Sequence, residues 1–173
     1  MKNASRQISY LLRHNPEDLK MDKHGYVFVA DLLRKTKISK EELDDIVENN
    51  DKKRFGYSED GFKIRARQGH SAKLGVDVGY KEVQFPRKYF HGTAEVNKVS
   101  ILNNGLNSGN RDYVHLSQDM NTAVLVAHRH SRVVVVFEID GIQMKRDGLK
   151  IYESENGVIL TEYVSPKYIK LMK

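Results

Sequence analysis

The chain has 173 residues, room for one good core or two small ones, and 29 Lys+Arg against 23 Asp+Glu give it a formal charge of +6 and a pI near 9.4. That balance suits an acidic partner such as nucleic acid or a phosphorylated ligand. The absence of cysteine excludes disulfides and thiolate zinc sites and fits a reducing compartment, and no window approaches the run of roughly 18 apolar residues that a membrane span needs. With no apolar signal-peptide core at the amino end either, a soluble cytoplasmic protein is expected.

Ser5 to His14 reads as a helix with Ile8, Leu11 and Leu12 on one face, stopped by Asn15-Pro16, which puts Arg13 and His14 at its carboxyl end. Cations in a last turn also complement the helix dipole without any further role. Tyr26 to Ala30 is a short apolar segment and Asp31 to Thr36 one or two helical turns. Ser39-Lys40-Glu41-Glu42 is a capping-box pattern that opens an amphipathic helix through Leu43, Ile46 and Val47. Arg54 to Ser58 and Phe62 to Arg67 flank Glu59-Asp60-Gly61 as a hairpin. Three short helices followed by a hairpin is the order of a winged-helix module.

Along that second strand Phe62, Ile64 and Ala66 fall on one face and Lys63, Arg65 and Arg67 on the other. A cation row opposite an apolar row is also the pattern of a solvated strand. The sequel points further, because Gln68, Gly69, His70 and Ser71 add an amide, a flexible backbone point, an imidazole and a hydroxyl suited to phosphate or sugar oxygens.

Composition shifts after Ala72, and a lobe boundary is placed in 73–80, giving lobes over residues 1–75 and 80–173. In the second, Tyr89 to Thr93 is a strand, Glu95 to Asn103 a helix with Val96, Val99 and Leu102 on its inner face and Gly105 as its cap. Asn107 to Asp112 is a polar loop, Tyr113 to Leu116 a strand, and Ser117 or Asp119 the cap of a helix to about His128. Val133 to Ile139 reads as a buried central strand, with further strands at Lys150 to Tyr152, Val158 to Tyr163 and Tyr168 to Leu171. The fold class is α+β, with a strand-rich second lobe.

His91-Gly92-Thr93 and His115-Leu116-Ser117 share a design, a histidine near a strand end followed by hydroxyl or close-approach residues, and two such ends suggest a cleft. No Rossmann fingerprint, Walker loop or nucleophile elbow occurs, and His128 and His130 lack nearby carboxylates for a metal. Arginine is what the chain offers at element ends, in Arg13, Arg65, Arg111, Arg129 and Arg132.

Leu12-Arg13-His14, Lys53-Arg54-Phe55, Ile64-Arg65-Ala66, Gln68-Gly69-His70-Ser71, His91-Gly92-Thr93, Val114-His115-Leu116-Ser117, Arg129-His130 and Asn156-Gly157-Val158, in this order, make the chain resemble the RNA 2′-phosphotransferases nearly end to end. The resemblance implies an amino-terminal winged-helix lobe and a carboxyl lobe of the ADP-ribosyltransferase kind. It implies transfer of an internal RNA 2′-phosphate to NAD through an RNA-2′-phospho-ADP-ribose adduct, yielding 2′-hydroxyl RNA, nicotinamide and ADP-ribose 1″,2″-cyclic phosphate, without a metal. By motif, Arg13, His14, Arg65 and Arg129 form the catalytic and phosphate-binding set. His91, Gly92 and Thr93 with His115, Leu116 and Ser117 line the NAD site, and His70 and Ser71 lie close to it. The sequence departs from the family pattern around Arg129, with Ala127 where a glycine stands and Ser131-Arg132-Val133 in place of a glycine-to-proline run; Arg132 is a substitute cation there.

Two other readings are a mono-ADP-ribosyltransferase that stops after the first transfer, on a nucleic-acid end or a protein, and a non-catalytic winged-helix nucleic-acid-binding protein. The expected partner is RNA with an internal 2′-phosphate, tRNA-like, met by a monomer away from membranes. It is held mainly through phosphates, since the basic residues are scattered and no aromatic cluster offers a base-stacking platform.

Overall fold

The computed structural model describes residues 2–50 and 52–172, a mixed fold of helix and strand in the α+β class. The chain divides into two compact units, residues 1–79 with 110–112, and residues 80–109 with 113–173. No described helix is long and apolar enough to cross a membrane.

The first unit opens with α1 (Lys2–Arg13), whose Ile8, Leu11 and Leu12 are buried. Asn15-Pro16 ends it as the sequence predicts, because a proline disfavours the helical region for the residue before it. β1 (Val27–Phe28), α2 (Val29–Thr36) and α3 (Lys40–Asn49) follow. The capping box at Ser39 is complete: its hydroxyl accepts from the Glu42 N–H while the Glu42 carboxylate accepts from the Ser39 N–H. β2 (Phe55–Tyr57) and β3 (Lys63–Ala66) form the hairpin, and the antiparallel sheet runs β1-β3-β2. Its inner face meets the helices through Val27, Ile64, Ala66 and Phe55.

In the second unit the chain runs β4 (Lys81–Glu82), β5 (Lys88–Ala94), α4 (Lys98–Asn104), β6 (Leu106–Asn107), β7 (Val114–Leu116), α5 (Met120–Ala127), β8 (Val134–Asp140) and α6 (Gly141–Arg146). It ends with β9 (Tyr152–Glu153), β10 (Ile159–Thr161), β11 (Tyr163–Val164) and β12 (Ile169–Leu171). These make sheets β4-β9-β10-β7, β12-β8-β5 and the pair β11-β6. The β-branched strand β8 is central, as its composition predicts, and Val135, Phe137 and Ile139 enter the core with Tyr89, Leu116, Met144 and Ile159.

Several expectations need correction. Phe62 does not join Ile64 and Ala66 in the core but is 71% exposed, because β3 begins only at Lys63. The predicted inner face of the helix after Glu95 is outward: Val96, Val99 and Leu102 are exposed and Ile101 is buried. Glu95–Asn97 form a 3₁₀ turn, so the side-chain phase changes before α4 begins. Asn107, expected to open a loop, is strand together with Leu106, and the stretch 158–163 breaks at Glu162 into β10 and β11, which pair with β7 and β6 respectively. Helix α1 starts at Lys2 rather than Ser5, and α6 carried no sequence expectation.

Helix α5 lies so close on β5 that a Cβ on Gly92 would stand 2.0 Å from the Ala123 carbonyl oxygen and 3.2 Å from the Ala127 methyl. Gly92→Ala must therefore push α5 off the sheet, with an expected cost of about 1–3 kcal/mol, read as a lower urea midpoint. An unchanged midpoint would show that the helix accommodates the methyl freely.

Candidate active site

Polar chemistry in the first unit concentrates where the segment after β3 meets the end of α1. A helix leaves its last carbonyls without intrahelical partners. The Arg13 carbonyl is one of these, and it accepts the Ser71 N–H at 2.7 Å. One residue on, His14 Nδ1 is hydrogen-bonded to the Ser71 hydroxyl at 2.7 Å. Gly69, at φ 89°, has the Arg13 guanidinium packed over it, with Nε 3.3 Å from the place a Cβ would take. Residues 110–112 complete the arrangement: Ala72 N–H donates to Asn110, Asp112 N–H donates to the His70 carbonyl, and Arg111 pairs with Ser71.

Arg65 is not on a solvated strand face. It is 8% exposed, donates through Nη1 to the carbonyls of His24 and Val78 at 3.2 Å each, and stacks its guanidinium 4.5 Å from the Tyr26 ring centre. His70 is fully buried, and neither ring nitrogen has a hydrogen-bond partner among the described residues. Burial and the neighbouring Arg13, Arg65 and His14 push its pKa down to about 4. The His14 pKa is also lowered, by burial first and then by Arg13, Arg111 and Lys73. Burial is the larger cause at both rings, and the arginine and lysine side chains named above act in the same direction, against the imidazolium form. Such a place favours an anion of more than one charge.

In the second unit, Phe90 and Ser117 exchange N–H···O bonds at 2.9 and 2.7 Å, which sets the end of β7 beside β5. The His91 Nδ1–H donates to the His115 carbonyl at 3.2 Å, and the His115 Nδ1–H to the Tyr113 carbonyl at 3.0 Å. Because a carbonyl only accepts, this fixes the tautomer of His91 and leaves its Nε2 an acceptor. Burial lowers the His91 pKa, against a smaller opposite effect of that bond. Thr93 Oγ1 accepts from Asn97, and Leu116 is in the core. The space a Gly92 side chain would take is filled by α5, so what Gly92 can offer a ligand is backbone alone.

Arg129 stands exposed in the turn after α5, its N–H bonded to the Val126 carbonyl. The turn is tied by the His128 ring to the Ser131 carbonyl and by the Ser131 hydroxyl to Val133. Ala127 is buried against β5. The structure thus groups Arg13, His14, Arg65, His70 and Ser71 within one unit, and His91, Thr93, His115 and Ser117 within the other. Two features were missed. Lys73 and Arg111 act on His14, and of the two the sequence marks only Arg111, as an arginine at an element end. The rings of Tyr80, Tyr113 and Tyr152 meet edge to face at 5.6 and 5.9 Å, an aromatic cluster invisible in a sequence that scatters them over 72 positions.

A histidine kept neutral by folding binds fewer protons than in the unfolded chain, so it costs stability as pH falls. His70 should leave stability intact above pH 6.5 and erode it toward pH 4, by as much as about 3 kcal/mol. Urea midpoints from pH 7 to 4 for the parent and for His70→Asn check this; equal slopes would rule it out.

Comparison with known proteins bears on what this arrangement belongs to. Residues 1–163 match the model of the RNA 2′-phosphotransferase, Tpt1/KptA family. The "Probable RNA 2′-phosphotransferase" of Agrobacterium fabrum is 46% identical over 173 residues, 96% of this chain and 91% of the relative. Proteins of the same description from Flavobacterium johnsoniae and Fusobacterium nucleatum are each 43% identical, over 98% and 95% of this chain and 95% of each relative. With a family match over nearly its whole length and these identities, the chain belongs to the RNA 2′-phosphotransferase family.

Proposed function

We propose that the protein removes an internal 2′-phosphate from RNA by transferring it to NAD, which is consumed as a substrate. In this reading residues 1–75 form a winged-helix-like lobe that takes the phosphate, and residues 80–173 an ADP-ribosyltransferase-like lobe that takes NAD. The observation that carries it is the hydrogen-bonded grouping of Arg13, His14 and Ser71 at the end of α1, in a chain of this family.

The donor set suits both ligands. By family motif Arg13, His14, Arg65 and Arg129 are assigned to the 2′-phosphate, since a fork of N–H donors matches phosphate oxygens. Ser71 holds Arg13 through its N–H and His14 through its hydroxyl, and His70 and Ser71 are assigned to the cofactor side by family motif. His91 Nε2, the Ser117 hydroxyl and the backbone at Gly92 and Thr93 are assigned to NAD, since an acceptor nitrogen and a hydroxyl both suit the hydroxyls of a ribose. Supporting positions for that site are His115, whose carbonyl sets the His91 ring, and Leu116, which anchors the strand.

Charge flow assigns the arginines to the second of two steps. When the RNA phosphate displaces nicotinamide, an anion meets a cation and charge is neutralised, so added cations gain little. When the adjacent ribose hydroxyl then attacks the phosphodiester, negative charge builds on the non-bridging oxygens, and arginines aimed there stabilise that transition state above the ground state. No metal is assigned, since the guanidinium groups supply the charge a divalent cation otherwise would.

The decisive experiment incubates the protein with NAD and RNA carrying one labelled internal 2′-phosphate. Release of ADP-ribose 1″,2″-cyclic phosphate is expected; a stalled RNA-phospho-ADP-ribose would instead mark a mono-ADP-ribosyltransferase, and no turnover a binding protein. Turnover should survive a chelator, and its abolition with recovery on adding magnesium or zinc would overturn the metal-free assignment. Arg65→Ser should still release nicotinamide but slow the second step by about 10²-fold, so that the adduct accumulates in single-turnover gels. Equal loss of both steps without adduct would make Arg65 a structural residue, tied to His24, Val78 and Tyr26.

A further inference from the structure

The outer face of the β1-β3-β2 sheet carries a pattern that neither the core nor the phosphate site requires. Register pairs Phe28 with Lys63, and the Lys63 ammonium sits 5.0 Å from the Phe28 ring centre. Two residues along each strand the motif repeats, with Arg65 4.5 Å from the ring centre of Tyr26. On the β2 side the face continues as Gly56, opposite Arg65, with the Arg67 guanidinium laid across it: a Cβ there would stand 2.8 Å from Nε. One end of this ladder, Arg65, is covered by Tyr26 and the His24 and Val78 carbonyls and leads inward toward His70. The other end is open, with Phe28 47% exposed. Asp22 is the acidic group that meets Lys63, at 3.5 Å, while Asp60 in the hairpin turn is engaged by Ser58 and the Phe62 N–H.

A solvated sheet face gains little from an aromatic ring left half in water. Alternating rings and cations are what a single strand of nucleic acid uses, bases stacking on the rings and phosphates meeting the cations. We propose that the nucleotides flanking the 2′-phosphate lie along this face, with a base against Phe28 and a backbone phosphate at Lys63. The occupant is single-stranded RNA, on the grounds of charge complementarity in a chain of net charge +6 and of continuity with the cation cluster through Arg65. This rests on the functional reading above and gives it a footprint: the protein senses RNA beyond the modified nucleotide, by stacking and charge rather than by base identity.

The test compares a 2′-phosphorylated dinucleotide with an octanucleotide carrying the same group centrally. The parent should show a KM about tenfold lower for the octanucleotide, the scale of one stacked base. Phe28→Ala and Lys63→Ala should each erase most of that gain while leaving dinucleotide kinetics unchanged, and Phe28→Tyr should keep it. No length effect in the parent, or variants that weaken both substrates alike, overturns the proposal. Should the parent turn over neither substrate, the functional reading fails separately. Anisotropy with an unphosphorylated single-stranded octanucleotide then decides: about tenfold weaker binding by Phe28→Ala and Lys63→Ala supports the face, and equal binding by parent and variants overturns it.

Discussion

The hydrogen bond from the Ser71 N–H to the Arg13 carbonyl governs much of the first unit. It uses a carbonyl that the end of α1 cannot satisfy itself, and in doing so draws the segment 68–71 up to the helix terminus. Everything polar nearby follows from that docking. His14 meets the Ser71 hydroxyl, Gly69 passes under the Arg13 guanidinium, and His70 is fully buried. Cations brought together in this way repel one another, and their field adds to the burial that depresses the pKa of both histidines. A bound phosphate relieves that repulsion, so a cost to the folded chain becomes binding energy in the proposed reaction.

The second unit is organised by a close approach rather than by charge. Glycine at 92 lets α5 settle on β5, and that packing carries the turn holding Arg129. Ala127 contributes a buried methyl at this contact, and Ser131 ties the turn through its hydroxyl. Arg129 stands exposed after the helix end. Glycine-histidine strand motifs are easily read as ligand sites alone; here one of the two residues has a packing reason strong enough to require it by itself.

Arg65 shows why a period-2 pattern is an incomplete guide to exposure. Alternation assigns it correctly to the face opposite Ile64 and Ala66, yet that face is covered at this point by Tyr26 and the carbonyls of His24 and Val78. A cation there is partly structural and partly available to a field, which is why its substitution must be judged by which step fails and not by activity alone.

What the sequence determined by itself was local: the α1 stop at Asn15-Pro16, the capping box at Ser39, the hairpin around Gly61, the central β8 and the ordered motifs that identify the family. Each depends on residues within a few positions of one another, where propensity and capping act. Tertiary structure decided the rest. It turned the α4 face outward through a 3₁₀ turn, split 158–163 between two sheets, joined Arg111 and Lys73 to His14, and assembled the tyrosine cluster and the cation–aromatic ladder. Those outcomes rest on contacts between residues far apart in the chain, and their energies come from burial and from fields that no local pattern encodes.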